Sequence, residues 1–244
     1  MRALIVGASA GVGRALCDTL AVRGTGLLLV ATDPQDLDAL AAHLRLVHGV
    51  EVQTVATDAS APPDCVDQIA AAASQFGEID ELYFPIGASQ RDDVGLLNAE
   101  DTLRIVNSNL TVVMAVTAHF LPRLLQRKHA RIVGFGSIAA IRGRKVNVVY
   151  SSAKRGLESY FESLRHIAVG SGLLVQFVRL GYVETQQSFG QHLLFPTVSP
   201  ARVASYVMAN ADNDIGARFF PRFWVGVAFA ISRLPWLIFK RLNF

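Results

Sequence analysis

Tyr150 and Lys154 are the side chains whose types and spacing most directly suggest chemistry, because they lie four residues apart in Tyr-Ser-Ser-Ala-Lys. On a helix, residues at this spacing share one face, with Cβ atoms about 5–6 Å apart. A nearby ammonium favours the phenolate, so it lowers the tyrosine pKa toward the range needed for proton transfer. Such pairs are also common on solvated helix surfaces, so the interpretation needs support from the rest of the chain.

Ser137 is a second candidate for a chemical role. It follows the apolar run Arg131–Phe135, which predicts a strand, and it precedes Tyr150 by 13 residues. At the carboxyl end of a parallel strand it would face the ligand crevice, where its hydroxyl could donate to a carbonyl oxygen and stabilise developing charge. The alternative is a serine that caps a turn. The spacing to Tyr150 and Lys154 favours the catalytic interpretation.

The N-terminal strand, predicted at Ala3–Val6, runs directly into a glycine-rich turn that precedes a helix. Glycines permit a tight turn and let backbone N–H groups approach a pyrophosphate, which the helix dipole also favours. The alternative is an ordinary strand-to-helix turn, but the position after the first strand favours a dinucleotide site. The residues predicted to contact the cofactor here are Gly7, Ser9, Ala10, Gly11, Val12 and Gly13.

Short apolar runs alternate with longer helical patterns along the chain, which is typical of βαβ units and a parallel sheet. Right-handed crossovers then give a Rossmann-like, doubly wound α/β fold with helices on both faces and ligands at the carboxyl ends of the strands. The predicted strands are Ala3–Val6, Leu27–Ala31, Val50–Ala56, Glu81–Phe84, Arg131–Phe135 and Val175–Leu180. The predicted helices are Val12–Arg23, Pro34–Val47, Pro63–Phe76, Ala99–Gln126, Val149–Val169 and Pro200–Ala211.

The composition fits one domain of this kind. A chain of 244 residues, 51% apolar, can bury a large core but is too short for two independent enzymes. We assign residues 1–214 to a catalytic domain and 215–244 to a helical extension of it. Cys17 and Cys65 lie in apolar helical patterns, which predicts buried thiols in a reducing compartment. The six histidines show no metal-ligand spacing, so no metal site is predicted, and the N-terminus shows no signal-peptide pattern.

The chain resembles the short-chain dehydrogenase/reductase family in its single-domain form of about 250 residues. The resemblance rests on three motifs, Gly7-xxx-Gly11-x-Gly13, Ser137 and Tyr150-xxx-Lys154. The resemblance covers about the first 210 residues. Asn109, 13 residues before Pro122, resembles the family's catalytic asparagine. The further cofactor contacts assigned by resemblance or by position at a strand end are Thr32, Asp33, Asp58, Ala59, Gly87, Gly181, Val183 and Thr185, beside Tyr150 and Lys154.

The resemblance implies an NAD(P)-dependent oxidoreductase that transfers a hydride between a nicotinamide and a carbonyl or secondary alcohol carbon. In that mechanism Tyr150 exchanges a proton with the substrate oxygen, which Ser137 holds. Lys154 lowers the tyrosine pKa and binds the nicotinamide ribose, while Asn109 positions a water in the proton relay. The protein contributes orientation and electrostatics.

Several positions depart from the family pattern. The chain has Phe84-Pro85-Ile86-Gly87 where Asn-Asn-Ala-Gly is usual, Val112 where a glycine often follows the asparagine, and Leu180 where a proline precedes Gly181. Pro85 also lacks a backbone donor. These changes motivate a rival hypothesis, a nucleotide-binding scaffold or redox-sensing module that has lost turnover. The presence of Asn109, Ser137, Tyr150 and Lys154 argues against it.

The end of the second strand bears on the choice between NAD and NADP. An acidic residue at this strand end would favour the free ribose hydroxyls of NAD, but Ala31 occupies the position. An arginine at the next position would bind the 2′-phosphate of NADP, but that position is Thr32. Asp33 either accepts from ribose hydroxyls or caps the helix that begins at Pro34. Because no carboxylate closes the strand, NADP is favoured slightly.

The C-terminal segment is apolar and basic. From Ile215 onward there are five basic residues and no acid, so the rest of the chain carries about −2 of the net +3. The longest uncharged stretch, Phe223–Ser232, is ten residues, about half of a membrane span. Two interpretations stay open for this tail. In the first, the tail lies in a membrane interface. In the second, the tail packs on its own domain or on a neighbouring subunit.

The expected partners follow from these features. The apolar residues after Gly181, namely Phe189, Leu193, Leu194 and Phe195, lie where the family places its substrate lid and suggest an apolar or lipid-like substrate. The two long helices imply a homodimer or homotetramer by resemblance. The folded body shows no basic stripe, so nucleic-acid binding is not predicted. We expect a cytoplasmic protein, with contact at the inner face of a membrane if the tail meets lipid.

Overall fold

The computed structural model describes residues 1–185 and 194–242. Its centre is a sheet of seven parallel strands in the order β3-β2-β1-β4-β5-β6-β7. The strand order reverses between β1 and β4, which creates the crevice where ligands bind in doubly wound folds. The strands are β1 Arg2–Val6, β2 Gly26–Ala31, β3 Val52–Ala56, β4 Glu81–Phe84, β5 Ala130–Ser137, β6 Leu173–Leu180 and β7 Ala217–Phe220.

Helices cover both faces of the sheet, because alternate strand residues point to opposite layers. In β1, Leu4 and Val6 join a core with α3, α5 and α6, whereas Ala3 and Ile5 join a core with α1, α2 and α7. The predicted doubly wound α/β fold is confirmed. The helices are α1 Gly11–Val22, α2 Pro34–His48, α3 Pro62–Phe76, α4 Ala99–Val106, α5 Val112–Leu124, α6 Val148–Ile167, α7 Pro200–Ala209, α8 Trp224–Arg233 and α9 Trp236–Phe239.

The six predicted strands and six predicted helices are present with ends within two residues of the prediction, but two features differ. The helix predicted over Ala99–Gln126 is interrupted by a π-helical turn at Asn107–Thr111. The helical extension predicted from residue 215 instead begins with strand β7, which pairs with β6 through Phe177–Ala217 to Leu180–Phe220. Aromatic residues favour strands, and the short run before Pro221 fits a four-residue edge strand.

The run Ala99–Leu124 is long and apolar enough to cross a membrane by length and composition alone. Its position in the fold argues for a different role. Val112, Val113 and Val116 are fully buried and pack in the core with α3 and α6. The hydropathy of this run is therefore that of a core helix.

Candidate active site

The glycine turn joins β1 to α1 and depends on close backbone contacts. A Cβ on Gly7, whose φ is +94°, would lie 2.8 Å from Ile86 Cα, and a Cβ on Gly13 would lie 1.9 Å from the Gly7 carbonyl oxygen. Ala10 caps α1 without a side-chain hydrogen bond, and the first turn of α1 contains no acid. The N–H groups at this helix end are thus available to an anion, and the dipole favours one.

Replacing Gly13 by alanine should weaken NADPH binding by about 10- to 100-fold, because the backbone must shift to relieve the contact with the Gly7 carbonyl. Fluorescence titration of bound NADPH measures the effect. Gly226→Ala is the matched control, since nothing lies within 4 Å of the methyl group it would add. Equal affinity of the Gly13 variant and the wild type would contradict a cofactor site at this turn.

Ser137 and Tyr150 meet at the carboxyl end of β5, where Ser137 ends the strand and Tyr150 lies in the first turn of α6. Burial raises the pKa of the Tyr150 hydroxyl, while a hydrogen-bonding interaction with Ser137 and the charge of Arg144 lower it by less. The predicted lowering of the Tyr150 pKa is therefore wrong for the described structure, because desolvation outweighs the favourable contacts. The cation that acts on Tyr150 here is Arg144, which the sequence analysis did not select.

Lys154 is almost completely buried, with 3% of its surface exposed. Its Nζ donates to the carbonyl oxygens of Ile86 at 3.0 Å and Phe135 at 3.2 Å, and lies 6.0 Å from the centroid of the Tyr150 ring. Burial lowers the pKa of Lys154 to about 8. The predicted proximity of Lys154 and Tyr150 on one face of α6 is thus present in the fold.

Asn109 lies within the π-helical turn and is fully buried. Its Nδ2 donates to the carbonyl oxygens of Ala88 at 2.6 Å and Ile105 at 2.8 Å, while its Oδ1 has no hydrogen-bond partner among the described residues. A Cβ on Gly87 would lie 3.3 Å from this Oδ1 and 3.4 Å from Lys154 Nζ. An unused buried acceptor beside an ammonium suits a bound water.

The departure at Phe84-Pro85-Ile86 does not disturb the position of Lys154. Phe84 is fully buried in the core, and Lys154 bonds to the backbone carbonyl of Ile86, which any residue supplies. Pro85 follows the last strand residue, so its missing N–H removes no bond from the described ladder between β4 and β5. Val112 likewise packs in the core.

Asp93 is the most important site residue that the sequence analysis missed. Its side chain accepts from Val149 N at 2.9 and 3.1 Å and from Tyr150 N at 3.0 Å, and its carbonyl oxygen accepts from Val148 N at 3.4 Å. The residue before α6, Asn147, has φ 53° and provides no side-chain cap. Asp93 therefore caps the helix that carries Tyr150 from more than 50 residues away. Two adjacent aspartates in a loop give no signal that would have identified it.

The remaining predicted cofactor residues lie at the carboxyl edge of the sheet. Thr185 Cγ2 is 3.1 Å from the position of a Cβ on Gly11, so this segment borders the glycine turn. Val183 forms a bridge with Val198, and Trp224 packs against Gly181. Thr32 is exposed at the end of β2, and Ala59 is buried after β3 beside Asp58.

Two predicted contacts have other roles in the described structure. Asp33 Oδ1 accepts from Gln35 N at 2.8 Å and Asp36 N at 3.2 Å, which is the helix-capping alternative. Asp58 accepts from the backbone N and the hydroxyl of Ser60, both at 2.8 Å. Of the predicted lid residues, Phe189 and Leu193 lie outside the described residues, whereas Phe195 packs on Trp224.

The spacing of the histidines predicted no metal site, but the fold brings Asp18, His43 and His48 together on the outer surface of α1 and α2. Their ligand atoms lie within 4.8 Å of one another, and His43 Nε2 is 3.8 Å from Asp18 Oδ1. Sequence spacing cannot detect this cluster, because Asp18 belongs to a different helix. Cys17 and Cys65 are buried free thiols, as predicted.

The glycine turn and the uncapped start of α1 lie at the same edge of the sheet as Ser137, Tyr150 and Lys154, which is where doubly wound folds bind their ligands. The family model for short chain dehydrogenases matches residues 1–190. The chain therefore belongs to the short chain dehydrogenase family and is an NAD(P)-dependent oxidoreductase of carbonyl and alcohol groups.

Individual relatives support this assignment. The chain is 28% identical over 186 residues to 3-oxoacyl-acyl-carrier-protein reductase FabG of Escherichia coli strain K12, covering 76% of this chain and 75% of that protein. A short-chain dehydrogenase from Sphingobium yanoikuyae in complex with NADPH is 26% identical, with a TM-score of 0.82 and 96% of each chain covered. A 7beta-hydroxysteroid dehydrogenase shares the fold, with 17% identity, a TM-score of 0.89 and coverage of 98% and 95%.

Proposed function

We propose that Asn109, Ser137, Tyr150 and Lys154 are the catalytic residues and that the protein uses NADP(H) to interconvert ketones and secondary alcohols of apolar substrates. The supporting observation is that the Ser137 hydroxyl interacts with Tyr150 while Lys154 Nζ and the unused Asn109 Oδ1 both border Gly87. These groups combine a proton donor, an oxygen-binding hydroxyl and a buried cation at one edge of the sheet.

Each catalytic residue has a defined task in this proposal. When bound, the nicotinamide supplies or accepts the hydride. Ser137 donates a hydrogen bond to the substrate oxygen, and Tyr150 gives that oxygen its proton during reduction. Lys154 would hold the nicotinamide ribose. A water between Lys154 and Asn109 Oδ1 would return a proton to Tyr150 after the reaction. The phosphates would be held by the backbone of the glycine turn and the start of α1.

Preference for NADP over NAD is supported by the end of β2. Ala31 places no carboxylate against a 2′-phosphate, and the carboxylate of Asp33 is engaged in capping α2. Arg14 is exposed in the first turn of α1 and can meet an added phosphate. Titration of the protein with NADPH and NADH tests this preference, and tighter binding of NADH would contradict it.

The activity is tested by following NADPH oxidation with a panel of ketones and aldehydes of increasing apolar size. We expect turnover that rises with apolar surface, because Tyr182, Phe195 and Trp224 form an aromatic cluster beside Gly181. NADPH binding without turnover on any carbonyl compound would instead support the scaffold hypothesis.

Cofactor affinity should depend on pH through Lys154, whose pKa burial lowers to about 8. The ammonium is present below this value and is lost above it, so NADPH binding should weaken as pH rises from 8, by up to about 10-fold per pH unit. The control is 2′,5′-ADP, which lacks the nicotinamide ribose and should bind equally at pH 7 and 9. NADPH affinity that stays constant over this range would contradict the role of Lys154.

We also propose a homodimer or homotetramer in the cytoplasm, in which α4, α5 and α6 contact their counterparts. Leu103 on α4 and Met114 on α5 are exposed apolar residues of these helices. Sedimentation of the protein over a range of concentrations tests this assembly. A monomer throughout would contradict it.

The tail formed by α8 and α9 has a surface suited to an anionic membrane. Trp236, Leu237 and Ile238 are 65%, 67% and 52% exposed, and they lie beside Lys240 and Arg241. The inner side is held to the domain, because Arg142 Nη1 donates to Ile231 O at 3.0 Å and its guanidinium lies 3.9 Å from the ring centroid of Phe239. Apolar side chains flanked by cations favour an interface with anionic lipid.

Deleting residues 235–244 should release the protein from vesicles that contain phosphatidylserine while leaving NADPH affinity unchanged. Flotation measures binding, and vesicles of neutral lipid alone provide the control, since the basic side chains gain nothing from them. If the full-length protein does not float with anionic vesicles, the tail does not bind membranes, and its exposed face is better explained by contact with another subunit.

A further inference from the structure

Arg144 is a cation beside the proposed proton donor with no counterion in the described structure. It lies in the segment that connects Ser137 to α6 and is partly buried, and its Nε is buried without a hydrogen-bond partner. Arg144 interacts electrostatically with Tyr182 and Tyr150. Arg144 therefore lies near the hydroxyl group that the proposed function takes as the proton donor.

Partly buried arginines are normally paired, because an unpaired desolvated charge is costly. Arg131 and Arg179 follow this rule, with Glu81 at 3.3 Å and Glu158 at 2.6 Å. In residues 1–185 and 194–242, no carboxylate oxygen lies within 4 Å of the Arg144 nitrogens. The sequence of residues 186–193 contains no aspartate or glutamate either. Among the described residues, the charge of Arg144 is therefore not neutralised by a carboxylate.

A second donor without a partner borders the same tyrosine. The ring of Trp224 packs edge-on against Tyr182 at 5.3 Å between centroids, and the buried Trp224 Nε1 has no acceptor among the described residues. Because a Cβ on Gly181 would lie 1.7 Å from Trp224 Nε1, this donor faces the Gly181 backbone, and Arg144 is the donor that is available to a ligand with acceptor oxygens. The aromatic cluster of Tyr182, Phe195 and Trp224 would at the same time contact apolar parts of that ligand.

We propose that Arg144 binds an anionic group, a carboxylate or a phosphate, on the substrate itself. This inference rests on the proposed function, because it takes Tyr150 as the residue that faces the reacting oxygen. The phosphates of the cofactor are not the expected partner, since their binding site is the glycine turn at the start of α1. The substrate class is then an amphipathic ketone or alcohol with an apolar body and a terminal anion.

The test compares keto acids with different spacers between carbonyl and carboxylate, each paired with its neutral primary amide. For at least one pair, the wild type should show a higher kcat/KM for the acid. Arg144→Gln should lower the ratio of kcat/KM for the acid to kcat/KM for its amide by about 10- to 100-fold. Any loss of activity that is common to both compounds reports the effect of Arg144 on Tyr150. Arg144→Lys should retain part of the preference for the acid over the amide. The part that it retains shows how much of the preference depends on charge and how much on the planar geometry of the guanidinium.

The alternative role of Arg144 is to act only on the Tyr150 hydroxyl. In that case Arg144→Gln lowers kcat for acid and amide equally and shifts the pH profile of both, which would overturn the proposal. If neither compound is turned over, the proposed function has failed, and calorimetric titration of the acid and its amide into the NADP complex decides the inference separately. Equal affinity of wild type and Arg144→Gln for the acid would then overturn it.

Discussion

Tyr150→Phe should lower kcat for ketone reduction by about 10²- to 10⁴-fold, the contribution typical of a positioned general acid. The substitution removes only the hydroxyl, so substrate oxygen bound to Ser137 would have no proton donor at Tyr150. The variant keeps the aromatic ring of residue 150 and loses the hydrogen-bonding interaction with Ser137. Affinity for NADPH should change little, because Lys154 keeps its bonds to the Ile86 and Phe135 carbonyls.

The reason for a large effect lies in the electrostatics of the tyrosine. Burial raises the pKa of Tyr150 in the free protein, so the hydroxyl is held as a proton donor at neutral pH. The cations Lys154 and Arg144 then stabilise the phenolate that forms when the proton leaves. A desolvated phenol hydroxyl near cations is thus kept protonated before the reaction and is stabilised as an anion during it.

Steady-state NADPH oxidation and a separate NADPH titration distinguish chemistry from binding in this variant. Tyr160→Phe is the matched control, since it removes a tyrosine hydroxyl from the same helix. This half-buried hydroxyl has a 3.5 Å bond to Met114 O and interacts with Thr117. The variant should leave kcat within about twofold of the wild type, because the Tyr160 hydroxyl has no described contact with Ser137 or Lys154. Undiminished turnover by Tyr150→Phe would rule out the proposed proton donor.

The sequence was sufficient to predict the parallel sheet, because β1, β2 and β5 are apolar runs followed by turns or helices whose period is clear. It also predicted that Tyr150 and Lys154 share a face, since this depends only on helical spacing. Strand β7 was missed because its aromatic residues run directly into the apolar and basic C-terminal segment, so no separate apolar run marks it. The π-helical turn at Asn107–Thr111 was missed because its sequence differs little from that of an ordinary helix.

The electrostatic environment of the site was harder to predict than its residues. The pKa of Tyr150 depends on how many protein atoms surround the hydroxyl, which spacing along the chain does not reveal. The interaction of Arg144 with Tyr150 depends on the path of the segment before α6, and a separation of six positions in the sequence does not by itself imply it. The Ile86 departure was harmless for a related reason, because the bond to Lys154 involves a backbone carbonyl rather than a side chain.

Asp93→Ala should lower the free energy of unfolding by about 3 kcal/mol and kcat by about 100-fold, with a smaller change in the KM for NADPH. The Asp93 side chain is fully buried and accepts the N–H groups of Val149 and Tyr150. Without it, the N–H groups of Val149 and Tyr150 are left unsatisfied at the positive end of α6, while Val148 N keeps its bond to the backbone carbonyl of residue 93. The first turn then loosens, and Tyr150 moves relative to Ser137.

Asp93→Asn and Asn98→Ala separate positioning from general destabilisation. Asp93→Asn keeps one carbonyl oxygen as an acceptor and should recover part of both stability and kcat. Asn98 caps α4 through a 2.8 Å bond from Asp101 N on the exposed surface, so Asn98→Ala should cost about 1 kcal/mol without lowering kcat. The variants are compared by urea unfolding and by kinetics at a temperature where each is folded. If Asp93→Ala loses stability but keeps wild-type kcat, Asp93 is only a structural cap, and the geometry of Tyr150 does not depend on it.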